Sequence, residues 1–246
     1  MSKQERIFVV VNPTLDEHVA LDRAIITAKL LSPSPTICAF VTIDPDTVDS
    51  DVSNDKISRN TDWFEEQIHA PLRAAGLEYK IEVSWCNNWQ KAIMRSAEKF
   101  GATRILIRAG KPKTPSRFSF AESKWKLLKG ATCPVLIVRD GAAEQRKVVL
   151  AAVNFQASRD HQQQLNANIL ARGRALAESY DAEFHVANAY IDSMHYPDRG
   201  RLAKETGLDS KHIHVVQGYT EEAIAKAAKD LSADVVVIGT LGQTGQ

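Results

Sequence analysis

The chain repeats itself, and that repeat limits the folds open to it more than any other feature. Arg6 to Pro13 (RIFVVVNP) resembles Lys147 to Phe155 (KVVLAAVNF), with Asn12 and Asn154 each closing an apolar run, an offset of 142 residues. Trp89 to Arg108 (WQKAIMRSAEKFGATRILIR) lines up with Thr220 to Gly239 (TEEAIAKAAKDLSADVVVIG) at an offset of 131, so the second copy is 11 residues shorter in its middle.

Each copy alternates strand and helix patterns. In the first, Ile7–Val11 is a continuous β-branched and aromatic run of the kind buried on both faces of a parallel sheet. The apolar periodicity of 16–31 predicts a helix broken by Ser-Pro-Ser-Pro at 32–35. Strands are expected at 36–43, 79–85, 104–107 and 133–139, and helices at 57–75, 89–100 and about 123–128. The second copy predicts strands at 147–153, 184–189, 213–216 and 235–238, with helices at 159–180, 200–206 and 220–231. Alternating βα units imply two tandem doubly wound parallel-sheet domains of Rossmann-like α/β type. They are expected over 1–139 and 147–246, joined by the small polar linker 140–146, with the second lacking its last helix and strand.

Composition excludes several function classes. With 31 basic and 30 acidic residues the net charge is +1, which offers no global field for nucleic acid or an anionic membrane, so any anion site must be local. Cys38, Cys86 and Cys133 are odd in number and widely spaced, which points to neither a disulfide framework nor a zinc site. They are expected to be buried, inert thiols. No secretory pattern opens the chain and no run approaches the ~18 apolar residues of a membrane span, so a cytoplasmic protein is expected.

The candidate chemistry lies at strand ends. In open α/β sheets ligands sit beyond the carboxyl ends of the strands, where strand order reverses. Asn154 and the terminal Gly239-Thr240-Leu241-Gly242-Gln243-Thr244-Gly245 would flank such a crevice. Glycines there serve turn geometry, or let backbone N–H groups approach phosphate oxygens. In the first copy the positions of Gly239, Gly242 and Gly245 are Arg108, Lys111 and Thr114, whose side chains would crowd a phosphate, so no nucleotide is expected there by this mode. Arg108, Lys111, Lys113 and Arg117 beside Phe118, Phe120 and Trp125 read as a solvated loop, with an anionic metabolite or single-stranded nucleic acid as the alternative. His212 and His214 are two imidazoles on one face of a strand, half of a metal site at most; with no third ligand nearby in sequence they are expected to be surface histidines and no metal is assigned. No G-x-S-x-G elbow is present. Trp63, Phe64, Ile68 and Leu72 form a core stripe.

ADVVVIGTLGQTG (233–245), ATCPVLIVRD (131–140) and TDWFEEQIHAPLRAAGLEYKIEVSWC (61–86) resemble segments of the universal stress protein family, in its tandem-domain form. The resemblance covers nearly the whole chain. It implies a non-catalytic stress-response module. It also implies ATP or another adenine nucleotide on the second domain, with Gly239 and Gly242 at the phosphates, Thr240 and Gly245 in the same loop, and Asn154 where the family carries an acidic residue near the adenosine. An intramolecular pseudo-dimer or a homodimer is implied as well; from charge and hydropathy no membrane or nucleic-acid partner is expected. The rival readings are a slow adenine-nucleotide hydrolase and a ligand-free interaction scaffold.

Overall fold

The structure, a computed structural model, describes residues 4–43, 59–110 and 122–240. Two compact units, Met1–Ala142 and Ala143–Gln246, divide the chain.

In the first unit β1 (Arg6–Val11), α1 (Val19–Lys29), β2 (Thr36–Val41) and the helix pair α2 (Thr61–Phe64) and α3 (Ala70–Ala74) follow in order. A π-helical turn, Glu65–His69, joins α2 to α3. Then come β3 (Glu78–Val83), α4 (Trp89–Phe100), β4 (Arg104–Arg108), α5 (Glu122–Gly130) and β5 (Val135–Val138). The sheet is parallel, in the order β3-β2-β1-β4-β5. The second unit has β6 (Val148–Val153), α6 (Asp160–Tyr180), β7 (Glu183–Tyr190), α7 (Arg199–Thr206), β8 (Ile213–Gln217), α8 (Thr220–Asp230) and β9 (Val235–Val237). Its four described strands run parallel in the order β8-β7-β6-β9, the first four places of the same arrangement. The doubly wound tandem architecture read from the sequence is therefore the observed one.

Strand pairing fixes the equivalence of the copies residue by residue. Arg6 pairs with Thr36 as Val148 pairs with Glu183, and Ile7 with Arg104 as Val149 with Val235. The offset is 142 at the first strand (Arg6 to Val148), 147 at the second (Thr36 to Glu183) and 131 at the fourth (Arg104 to Val235). At the third it is 132, since Ala39 pairs with Ile81 and its counterpart Val186 with Ile213. The second copy is thus 15 residues shorter between its second and third strands, partly offset by 5 more residues between its first and second, where α6 is the longer helix.

Each central strand is hydrogen-bonded on both sides, so its side chains must be covered on both faces. In the first unit Ile7, Val9 and Val11 share a core with Leu21 and Ala24 of α1, Ile68 of the π-helical turn and Leu72 of α3, the last two from the predicted stripe. Phe8 and Val10 face Ile93, Ala97 and Phe100 of α4 and Leu127 of α5. Phe8 and Phe40 stack at 5.1 Å between ring centroids. In the second unit Val149, Ala151 and Val153 meet α6 and α7 through Ile169, Ala177 and Leu202. The opposite face is thinner: Leu150 and Ala187 replace Phe8 and Phe40 and meet Ile224 and Ala227 of α8.

The long helix α6 lies close on its sheet because position 173 is glycine. A Cβ there would stand 2.7 Å from Phe184 Cε2 and 3.3 Å from the Ala151 Cβ, and Phe184 has Arg174 over its ring at 5.3 Å. Gly173→Val is therefore expected to destabilise the protein by about 1–3 kcal/mol, through overpacking that exceeds any gain in helix propensity. Urea unfolding followed by far-UV circular dichroism measures it; an unchanged midpoint would show that α6 can lift off the sheet freely.

Candidate functional site

Strand order reverses between β1 and β4 in the first unit and between β6 and β9 in the second, and those carboxyl ends are the place where open α/β sheets form a ligand crevice. The two copies fill it differently.

In the first unit the Asn12 side-chain oxygen accepts from the Thr14 backbone N–H at 3.0 Å and from the Thr14 hydroxyl at 2.8 Å, folding the strand end into an Asx turn. Arg108, at the end of β4, forks onto Asp140 with two bonds of 2.7 and 2.6 Å and also donates to the Glu17 carbonyl at 3.3 Å. Beneath lies a cavity of about 20 Å³ lined by residues including Asn12, Leu15, Glu17, His18 and Arg108. It has room for a water and is far too small for a nucleoside. Lys111, Lys113, Thr114, Arg117, Phe118 and Phe120 of the predicted basic loop lie outside the described residues.

His18 stands against this cavity, edge-on to Trp63 at 5.5 Å, and its Nε2 is buried without a hydrogen-bond partner among the described residues. Burial pushes its pKa from 6.5 down to about 4, helped by the Arg59 and Arg108 charges and opposed by Asp16.

In the second unit the β6 end is held from α6: Asn166 Oδ1 accepts from the Asn154 backbone N–H at 3.0 Å, and Asn166 Nδ2 donates to the Asn154 carbonyl at 2.7 Å. Asn154 itself is exposed. The next residues are pinned by buried Asn188 of β7, whose Oδ1 accepts from the Phe155 N–H at 2.8 Å and whose Nδ2 donates to Gln156 Oε1 and the Ala189 carbonyl. Asn188 had no signal in the sequence beyond its place in an apolar run; its counterpart in the first copy is Val41. Across the crevice Gly239 follows β9, and a Cβ there would lie 2.7 Å from Leu165 Cγ and 2.8 Å from Ile169 Cδ1. Any side chain at 239 would therefore press on Leu165 and Ile169 of α6, so glycine here has a packing role whatever the loop binds. Thr240 is half-buried, and Gly242 and Gly245 lie outside the described residues.

Three sequence readings are corrected. Cys86 is exposed, 3.7 Å from the Ser84 hydroxyl, because β3 ends at Val83 before reaching it; Cys38 is buried, its thiol pushed up to about 12 chiefly by burial. His212 does not share a strand face with His214, since it closes a 3-10 turn, Ser210–His212, before β8. Nor are these free surface histidines: both are half-buried against buried His185 of β7, and burial first, then the His185 charge, holds His214 below the usual histidine range.

One glycine-free and one glycine-bearing switch point, on two parallel sheets of matching strand order, define the class: a duplicated doubly wound α/β protein. The universal stress protein family model matches residues 4–139. The chain belongs to that family. It is 28% identical to Universal stress protein E of Escherichia coli K12 over 279 aligned positions, covering 100% of this chain and 87% of that one. It is 24% identical to the Universal stress protein E homolog of Haemophilus influenzae, covering 99% and 90%. Among solved structures, a universal stress protein from Archaeoglobus fulgidus DSM 4304 superposes with a TM-score of 0.66 at 16% identity, covering 97% of this chain and 86% of that one. Among the described residues no helix is long and apolar enough to cross a membrane.

His18 titrates near 6.5 when unfolded and near 4 when folded, so between these values the unfolded chain holds more protons. The stability this group contributes is complete above pH 6.5 and is lost as pH falls toward 4, up to about 3 kcal/mol. His18→Gln should flatten that part of the profile, measured as the difference in urea midpoint between variant and parent at pH 7 and pH 5. A parallel loss in both proteins would contradict it.

Proposed function

We propose that the protein is a non-catalytic stress-response module of the cytoplasm that holds an adenine nucleotide, ATP or a close relative, in its second unit. The site lies at the β6–β9 switch point, with Asn154 on the base or ribose side and the Gly239–Gly245 loop at the phosphates. The observation that carries this reading is the contrast between the crevices. In the second, the Ala151–Val237 pairing brings together a strand end with an exposed amide and one that continues as Gly239-Thr240. In the first, the corresponding space is spanned by the Arg108–Asp140 ion pair. Names of the curated relatives supply the stress role. Asn154 favours binding over turnover: an amide hydrogen-bonds a ribose but, unlike the acidic residue implied at its place, brings no charge to hold a metal.

Gly239→Val does not test the site, because the new side chain would strike Leu165 and Ile169 and disturb the fold. Gly242→Val does. Calorimetric titration of the full chain with ATP should give one nucleotide per chain, weakened about tenfold or more by Gly242→Val and unchanged by Arg108→Ala. Phosphate release should stay at the buffer rate. No binding at millimolar ATP, or binding indifferent to Gly242→Val, would overturn the reading.

A further inference from the structure

At the far end of the second sheet, where β7 begins and β8 is entered, side chains with metal-ligating atoms converge. Glu183 and His185 are two residues apart on β7 and so project from one face. His212 reaches them from the turn before β8, which the β7–β8 register sets beside His185. One ligand atom from each of Glu183, His185 and His212 lies within 4.8 Å of the other two. His185 Nε2 and Glu183 Oε2 are 3.2 Å apart, and the His185 and His212 ring centroids 4.7 Å.

His185 is buried and its other nitrogen is engaged. Nδ1 faces His214 Nε2 at 3.0 Å, so one proton lies between the two rings and holds the imidazole in place. A ring fixed at one nitrogen by a neighbour, with the other turned toward a carboxylate and a second imidazole, is the arrangement of a metal-bound histidine and its orienting partner. Tetrahedral coordination with bonds of about 2 Å sets ligand atoms about 3.3 Å apart, which the His185–Glu183 pair already meets. Glu183 is exposed and His212 half-buried at the end of a short turn, so both have room to close on an ion. In the first unit, strand pairing puts Thr36, Cys38, Lys80 and Glu82 at the places of Glu183, His185, His212 and His214, and there Lys80 pairs with Glu82 at 3.3 Å. The cluster belongs to the second copy alone.

We propose that Glu183, His185 and His212 form a three-ligand site for a divalent transition metal, zinc by its preference for two imidazoles and a carboxylate, with His214 as the positioning residue and a fourth position open to water or a ligand. The site joins β7 to the entrance of β8, at the opposite end of the strands from the nucleotide crevice. It stands independently of nucleotide binding.

The test is titration of chelator-stripped, tag-free full-length protein with zinc alone, by calorimetry and by thermal melting. One ion per chain with micromolar or tighter affinity and a raised melting temperature is expected. His212→Gln and Glu183→Gln, on residues with little buried contact, should each weaken binding at least about tenfold while the stripped proteins melt like the parent. His214→Gln should weaken it about 10- to 100-fold without changing the one-to-one stoichiometry. Absence of stoichiometric zinc binding overturns the proposal, as does zinc binding that survives both His212→Gln and Glu183→Gln; either outcome reduces the cluster to a hydrogen-bonded network.

Discussion

Everything in this molecule follows from a central strand bonded along both edges. Once β1 pairs with β2 on one side and β4 on the other, its backbone is satisfied in the sheet plane, and only helices above and below can cover its apolar side chains. The right-handed crossovers that supply those helices send the chain out in opposite directions from the middle, which leaves a gap where the two paths part. The second unit inherits the same constraint through β6, with the same register. The switch point beside the central strand is therefore a product of covering the core, present in both copies before any ligand is considered.

What the copies do with that gap depends on a few side chains. Arg108 turns the first into a salt-bridged corner, and a bidentate guanidinium–carboxylate pair is the strongest geometry such a closure can use. The second is shaped from behind by amides: Asn166 holds Asn154, and Asn188 holds Phe155 and Gln156. Amides of this kind fix the backbone at the strand end without adding charge. Gly239, opposite, leaves room for Leu165 and Ile169 of the same helix.

Much of this was legible in the sequence. The offsets of 142 and 131 found in RIFVVVN and in the paired helices are those that strand pairing fixes, because a buried strand and an amphipathic helix each carry a period that survives divergence. Individual contacts were less legible. His185 lies in an apolar run and His212 in a turn, and only the β7–β8 register brings them together. Spacing along the chain also made His212 and His214 look like neighbours on one face, because it could not reveal the 3-10 turn between them. Gly239 read as a turn or phosphate-loop glycine; its packing against α6 was not legible, since that helix begins some eighty residues earlier in the chain. Cys86 was misplaced because strand ends are the least certain boundaries in any such reading.

The thinner face of the second sheet has a thermodynamic meaning. With Leu150 and Ala187 in place of a stacked phenylalanine pair, α8 rests on small side chains, and dispersion contacts and buried apolar area there fall together. Cooperative opening starts where such contacts are fewest. Local opening of α8 is therefore expected to cost less than opening of α4, its counterpart on the phenylalanine-lined face of the first copy.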